Sequence, residues 1–577
     1  MKQRIRIQNK DKTARIFLPV HDFADLIRHM HEHGGKTAFM WNAREGEEKD
    51  GAINYELLSE EIELAAAALT EEGLAGGRIA FLGTPSVTYA VFMLATLATG
   101  GVIIPLDHER PTEDIAELLT RAGATALFYG NGIKADPAAL CALEGLSLVC
   151  ATERVLPLPE HPKAKRYAEL LLSGARVLTP GTRFAFPSVH PDKPAAMLFT
   201  SGSPKGRKCA VLSAKNLAAA ITAACASVDL EKADLVLSVL PFHHSYALSS
   251  LFVLFNYGVT VAINDIPAHF YDNLQKYRPT GLLLVPLYIG AMYNRLWETN
   301  KQLKHARGLH YGIKASNVLF NLGIDIRKHL FNRTRTFFGG RLTKIVSGGA
   351  PLNPALISAF EALGIAVYEG YGLTECGPFV TVTPYFARRV GSVGIPLPGV
   401  SLRIESADGK RGEHGYVEGE IEVKSESVML GYDNDENANK AAFTLDGYFR
   451  TGDIGYVDKN GYLFVTGKKK TVIVLDNGRN VAPEELEEYL TALPEVADAF
   501  VYTKRDENGI LRLYAKILPS EEFREGKDEG ELLDGLRMVL ISVNARLPRF
   551  KQIRDISLVS APFPRSAAGK ILRDFVM

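Results

Sequence analysis

The chain has 577 residues, too many for one ordinary hydrophobic core, so two or more domains are expected. Hydrophobic residues make up 46% and charged residues 23%, which excludes a disordered or fibrous chain; 66 Lys plus Arg balance 66 Asp plus Glu, so no cationic excess points to nucleic acid. The 5 cysteines, Cys141, Cys150, Cys209, Cys225 and Cys376, are odd in number and lack CxxC spacing, which fits a reduced, cytoplasmic protein better than a disulfide framework or a zinc site.

The opening MKQRIRIQNKDKTARIFLPV is charged throughout and has no apolar core of the secretory type. From there to about residue 450, short apolar runs alternate with helical patterns. IAFLG (79–83), GVIIPLD (101–107) and ATALFYG (124–130) have the length and continuous hydrophobicity of buried strands, and Pro111 ahead of Glu113 and Asp114 marks a helix start. The segment 246–263 is nearly long enough to cross a bilayer. Its Asn256, Gly258, Thr260 and β-branched end read instead as a buried helix followed by a buried strand, leaving peripheral membrane contact at most. The alternation resumes at 235–241, 259–263, 282–286, 344–347 and 365–368, and this order predicts α/β layers.

After about residue 390 the texture changes to strand segments split by turns, with Asn460-Gly461 reading as a hairpin. Beyond 470 a smaller α+β unit is predicted. Its helix starts at Pro483, carries Glu484 and Glu485 in its first turn, and buries Leu486, Leu490 and Leu493. The charged stretch 520–532 reads as solvated surface. The expected division is a large domain, 1–469, and a small one, 470–577.

TSGSPKGRK (200–208) has the glycine, hydroxyls and cations of a phosphate loop. It fails the G-x-x-x-x-G-K-[ST] pattern, because only three residues separate Gly202 from Gly206, Arg207 precedes Lys208, and Cys209 stands where a metal-binding hydroxyl belongs. The longer stretch FTSGSPKGRKCAVLSAKNL (199–217) resembles the phosphate loop of AMP-forming adenylating enzymes. Thr200, Ser201, Gly202 and Ser203 match, and Lys208 falls on the family lysine; Lys205, Arg207 and Cys209 depart from the usual glycine, proline and glycine. Further blocks follow in order. IVSGGAPL (345–352), with Gly349, Ala350 and Pro351, resembles the strand end bordering adenine. YEGYGLTECG (368–377) carries Glu369, Gly370 and an intact Tyr371-Gly372-Leu373-Thr374-Glu375. GYFRTGDIG (447–455) holds Asp453, GKKKTVIVLDNGRNVAPEELE (467–487) resembles the hinge, and PRSAAGKILR (564–573) matches the terminal element with Lys570. Over most of its length the chain resembles the acyl-CoA synthetase and adenylate-forming ligase superfamily. The Gly-Gly-Arg-Leu lead-in (339–342) and the hinge block look most like long-chain fatty acyl-CoA synthetases.

The resemblance implies an α/β fold: a large N-terminal domain of α/β layers with a distorted β-barrel subdomain, and a small, mobile α+β C-terminal domain. It implies activation of a carboxylic acid, a fatty acid in the first instance, by attack on the α-phosphorus of ATP. The acyl-AMP then passes to the CoA thiol. Two anions must be held together, which calls for Mg²⁺ and well-placed cations. The implied roles are Glu375 as the Mg²⁺ ligand, Thr374 as a phosphate donor, Tyr371 as an adenine stack and Asp453 as the ribose acceptor. Lys468 stands where arginine is usual beside the ribose, Lys570 bridges carboxylate and α-phosphate, Lys470 marks the hinge, and His244 in PFHHSYALSS gates the acyl pocket. Two alternatives stay open: a ligase that loads a carrier-protein thiol, and a non-catalytic nucleotide-binding relative, which the atypical 204–209 loop makes conceivable.

Overall fold

The computed structural model describes the chain apart from residues 1–4, 8–14, 44–49, 154–155, 179–180, 201–206, 303–307, 309–310, 314, 317–318, 320–324, 385–386, 407–408, 410, 413, 470–472, 476–479, 482, 508–509, 546, 548, 566–570, 572 and 574–577. It divides into two compact units, one of Met1–Ser401 with Val423–Phe449, the other of Leu402–Glu422 with Arg450–Met577. The division expected at 469/470 falls inside the second unit.

The first unit is built on two large sheets. The eight-stranded sheet runs in the order Gly431–Tyr432, Cys209–Ser213, Pro194–Phe199, Val102–Leu106, Arg78–Leu82, Ala126–Tyr129, Leu148–Ala151 and Ala164–Arg166. From Pro194–Phe199 onward its pairs are parallel, which explains the uninterrupted apolar runs: both faces are covered. The nine-stranded sheet has a parallel centre of Ala366–Tyr371, Lys344–Ser347, Gly281–Leu284, Leu235–Ser238, Thr260–Ile263 and Thr37–Trp41.

The helices between strands start and stop where their sequence says. Thr112–Ala122 begins after Pro111, keeps Glu113 and Asp114 in its first turn, and ends at left-handed Gly123. The apolar segment expected as helix then strand is Ser245–Tyr257 followed by Thr260–Ile263. Between them Gly258 has φ +68°, and a Cβ there would fall 2.6 Å from the His33 ring, so the stop is steric as well as conformational. Among the described residues no helix is long and apolar enough to cross a membrane.

A four-stranded sheet ordered Ser401–Glu405, Gly419–Lys424, Phe449–Val457 and Leu463–Lys468, most of whose residues fall in the second unit, occurs where the barrel-type strands were expected. The last two form the predicted hairpin, and Asp458 Oδ1 accepts from the amides of Asn460 and Tyr462 across its turn. The remainder is α+β. Strands Val496–Arg505, Leu511–Pro519 and Ile553–Leu558 form one sheet, with Leu513, Ile517 and Ile553 in a core shared with helices Pro483–Thr491 and Glu529–Asn544. Leu486 and Leu490 are fully buried; Leu493 lies past the helix end and is only partly covered.

Candidate active site

In open parallel sheets ligands gather outside the carboxyl ends of the strands. The described candidates of the first unit collect at such ends. Strand Ala366–Tyr371 carries Glu369, Gly370 and Tyr371 and leads into Gly372, where no side chain fits because a Cβ would lie 1.5 Å from the Pro378 carbonyl oxygen. The chain then turns through the short helix Thr374–Cys376. Helix Ser245–Tyr257 holds this turn from below: Ser245 Oγ is 3.0 Å from Thr374 Oγ1, and Ser249 Oγ donates to the Gly377 carbonyl at 3.1 Å. Glu369 is buried, and its amide and carbonyl both bond Thr383 Oγ1 at 3.1 Å.

Glu375 is fixed at both ends. Its carbonyl accepts from the Met429 amide at 2.8 Å, and its Oε1 accepts from the Tyr432 hydroxyl at 2.9 Å. Tyr432 pairs with Ala210 at the sheet edge, and its ring lies 4.4 Å from Lys208 Nζ, a cation–π distance. Thr200 donates its amide to the Lys208 carbonyl at 2.9 Å. Thr200, Lys208, Tyr432, Glu375, Thr374 and Ser245 are therefore linked in one contact series. Burial first, and the Glu375 carboxylate second, push the Tyr432 phenol far above its ordinary value, so it remains a donor. A carboxylate steadied by a neutral donor, with hydroxyls beside it, is an oxygen donor set that fits a hard divalent ion such as Mg²⁺.

Gly349, with φ +84°, follows strand Lys344–Ser347 at the same edge, with Ala350 and Pro351 next to it. Below them the Tyr246 hydroxyl donates to the Val346 carbonyl at 3.2 Å, and its ring would lie 3.2 Å from a Cβ at Gly348. Gly348 thus lets the backbone lie close over the Tyr246 ring.

His244 immediately precedes helix Ser245–Tyr257; its Nε2 is enclosed without a hydrogen-bond partner among the described residues, and burial lowers its pKa, favouring the neutral imidazole. Ala247, Leu251 and Leu254 of the same helix, with Leu240 and Leu283, line a small apolar cavity with room for about one water molecule.

In the second unit Asp453 is buried, lies opposite Lys468 in the hairpin, and is 3.2 Å from its Nζ. Lys469 turns to Glu420 at 2.7 Å. Ser201, Gly202, Ser203, Lys470 and Lys570 lie outside the described residues. Sequence reasoning missed Tyr432 and Ser245. Tyr432 occupies a two-residue edge strand without periodicity, and Ser245 reads only as a helix start; their partners are 57 and 129 residues away.

Residues 26–433 match the AMP-binding enzyme family, and residues 470–577 match the C-terminal domain of AMP-binding enzymes. The long-chain-fatty-acid–CoA ligase FadD15 of Mycobacterium bovis is 31% identical over 460 residues, spanning 76% of this chain and 73% of that protein. The indoleacetate–CoA ligase of Aromatoleum aromaticum is 28% identical over 562 residues, 96% of each chain. Among solved structures, ATP-bound MatB from Rhodopseudomonas palustris superposes with a TM-score of 0.72 at 25% identity, covering 96% of this chain and 98% of that one. The chain belongs to the AMP-binding enzymes, the superfamily of adenylate-forming ligases that includes the AMP-forming acyl-CoA synthetases.

Proposed function

We propose that this AMP-forming acid–thiol ligase activates a fatty acid and transfers it to CoA. The observation that carries the reading is the linked series Thr200, Lys208, Tyr432, Glu375 and Thr374, which aligns a cation, a carboxylate and hydroxyls at the carboxyl edge of a parallel sheet. The FadD15 ligase, named for long-chain fatty acids, points to an alkyl acid; the indoleacetate ligase shows that the family also takes aromatic acids.

A carboxylate is a poor electrophile, because its charge repels nucleophiles and its leaving group would be oxide. Its oxygen attacks the α-phosphorus of ATP, the bond to pyrophosphate breaks, and AMP becomes the leaving group. Lys208 and Lys570 supply positive charge to the phosphates and the carboxylate, while Thr374 donates to phosphate oxygen. Asp453 accepts the ribose hydroxyls, with Lys468 beside it. Glu375 would hold Mg²⁺, which when bound would neutralise charge on the triphosphate. The CoA thiol then attacks the acyl carbonyl and AMP departs. The second step needs Lys570 out of the way, so a division into residues 1–469 and 470–577, hinged at Lys470, suits the chemistry.

The test is purified protein with ATP, Mg²⁺, CoA and straight-chain acids from acetate to arachidate, scored for AMP release. AMP release with long acids and CoA is expected. Pyrophosphate exchange without acyl-CoA formation would move the assignment to a carrier-protein acceptor, and release only with aromatic acids would overturn the fatty-acid reading. Lys570→Ala should bind ATP yet lose exchange; unchanged exchange would remove Lys570 from catalysis.

A further inference from the structure

A second set of groups lies in the same unit and has no part in the chemistry above. Asp107 and His108 follow strand Val102–Leu106 of one sheet, and His243 lies in the turn after strand Leu235–Ser238 of the other. One ligand atom from each comes within 4.8 Å of the others. Among the described residues, Nδ1 and Nε2 of His243 and Nδ1 of His108 are all enclosed and without a hydrogen-bond partner. Three enclosed, unpaired imidazole nitrogens in one place are unusual, because a buried polar atom without a partner carries its full desolvation penalty. We propose that Asp107, His108 and His243 bind one divalent transition-metal ion of the Zn²⁺ type, which ties the two sheets together behind His244.

The donor chemistry selects the ion. Two imidazoles and one carboxylate suit Zn²⁺ or Co²⁺ and not Mg²⁺, so this site is distinct from that of Glu375. Metal binding requires deprotonated ligands. Both ring nitrogens of His243 are enclosed and without a hydrogen-bond partner among the described residues, which leaves a lone pair open to an ion. The Glu109 amide faces the Asp107 carboxylate. Asp107 Oδ1 accepts that amide at 3.1 Å, which fixes the side chain. The competing cation is Arg110, 3.5 Å from Asp107 Oδ2. It also bonds Asp114 at 3.3 Å and keeps a partner if the metal takes Asp107. The ring centres of His243 and His244 are 4.2 Å apart, so an ion on His243 would stiffen the turn that carries His244.

The experiment uses the full, tag-free chain, stripped with chelator, in excess Mg²⁺, titrated with Co²⁺ and with Zn²⁺. One equivalent should bind saturably, and the Co²⁺ complex should show the intense visible absorption of a four- or five-coordinate site. Zn²⁺ should raise the unfolding midpoint and chelator should reverse the rise. His108→Ala should weaken Co²⁺ binding at least tenfold while pyrophosphate exchange at saturating Mg²⁺ persists. If that variant does not fold, the wild-type spectrum decides: faint, six-coordinate absorption, or no saturable binding, overturns the proposal. Undiminished binding by folded His108→Ala overturns it as well. None of these readouts depends on which acid is activated.

Discussion

The Tyr432 hydroxyl donates to Glu375 Oε1 at 2.9 Å, joining the edge of one sheet to the turn that closes a strand of the other. The same ring carries Lys208 on its face, so one side chain touches both the anionic and the cationic member of the site. Tyr432→Phe keeps the ring and removes only the donor. A hydrogen bond to a charged group contributes about 1.5–3 kcal/mol, and the partly open position of Glu375 lets water replace some of it. The expected result is a roughly tenfold fall in adenylation kcat/KM, since ~1.4 kcal/mol is a factor of ten. Half-saturation by Mg²⁺ should move upward. Pyrophosphate exchange measured across Mg²⁺ concentrations checks this; an unchanged Mg²⁺ profile would separate Tyr432 from the metal-binding role of Glu375.

Ala247 borders a small apolar cavity with room for about one water molecule. It is buried on helix Ser245–Tyr257 and lines the apolar pocket opposite Leu283. Ala247→Trp would overfill that space, so adenylation kcat/KM should fall with every acid regardless of chain length. Overpacking costs about 1–3 kcal/mol, so the unfolding midpoint should drop as well. A loss confined to long acids, with short acids unaffected, would instead place the alkyl chain at this cavity.

Gly372 and Gly290 offer a paired comparison. A Cβ at Gly372 meets the Pro378 carbonyl, a backbone group that yields only if the turn bearing Thr374 and Glu375 moves. Gly290, in helix Pro286–Gln302, has open space around it. Gly372→Ala should destabilise by about 1–3 kcal/mol and lose most adenylation activity. Gly290→Ala should be neutral or stabilise by about 0.5–1 kcal/mol, because alanine loses less backbone entropy in a helix. Chemical denaturation and exchange assays on both variants decide it, and equal behaviour would refute the steric argument.

How much of this was legible beforehand depended on the range of each interaction. Strands such as Arg78–Leu82 and Lys344–Ser347 announced themselves because a two-sided buried strand needs an unbroken apolar run. Helix Thr112–Ala122 did so through Pro111 and its acidic first turn. The candidates on the 345–352 and 368–377 blocks were found by motif, because each block is contiguous. Tyr432 and the nitrogens of His108 and His243 were not, since what defines them is a partner far away in sequence or the lack of one. Leu493 shows the same limit locally: heptad-like spacing placed it on the helix face, but the helix stops at Thr491.

The terminal element gives the last expectation. Arg573 Nη2 donates to both Glu487 oxygens, at 2.8 and 2.7 Å, its Nη1 donates to the Val501 carbonyl at 3.2 Å, and its Nε lies 3.4 Å from Glu484. At the other end Arg565 pairs with Asp498 and bridges Ile571 through the backbone. Two arginine–carboxylate pairs therefore bracket the stretch in which Lys570 falls. Burial pushes Glu487 up to about 7, against the pull of Arg573, from an ordinary value of 4.5. The native state then binds more protons than the unfolded chain between about pH 5 and 7, so this group makes stability fall as pH rises through that window. Glu488, also raised to about 7 by burial and its acidic neighbours, acts with the same sign. Glu487→Gln removes one titration and keeps the side chain's shape. Its unfolding midpoint should decline less steeply than wild type from pH 5 to 7, and Glu487→Gln with Glu488→Gln should flatten the profile further. Parallel profiles for all three proteins would show that Glu487 is already ionised at low pH, with Arg573 outweighing its burial.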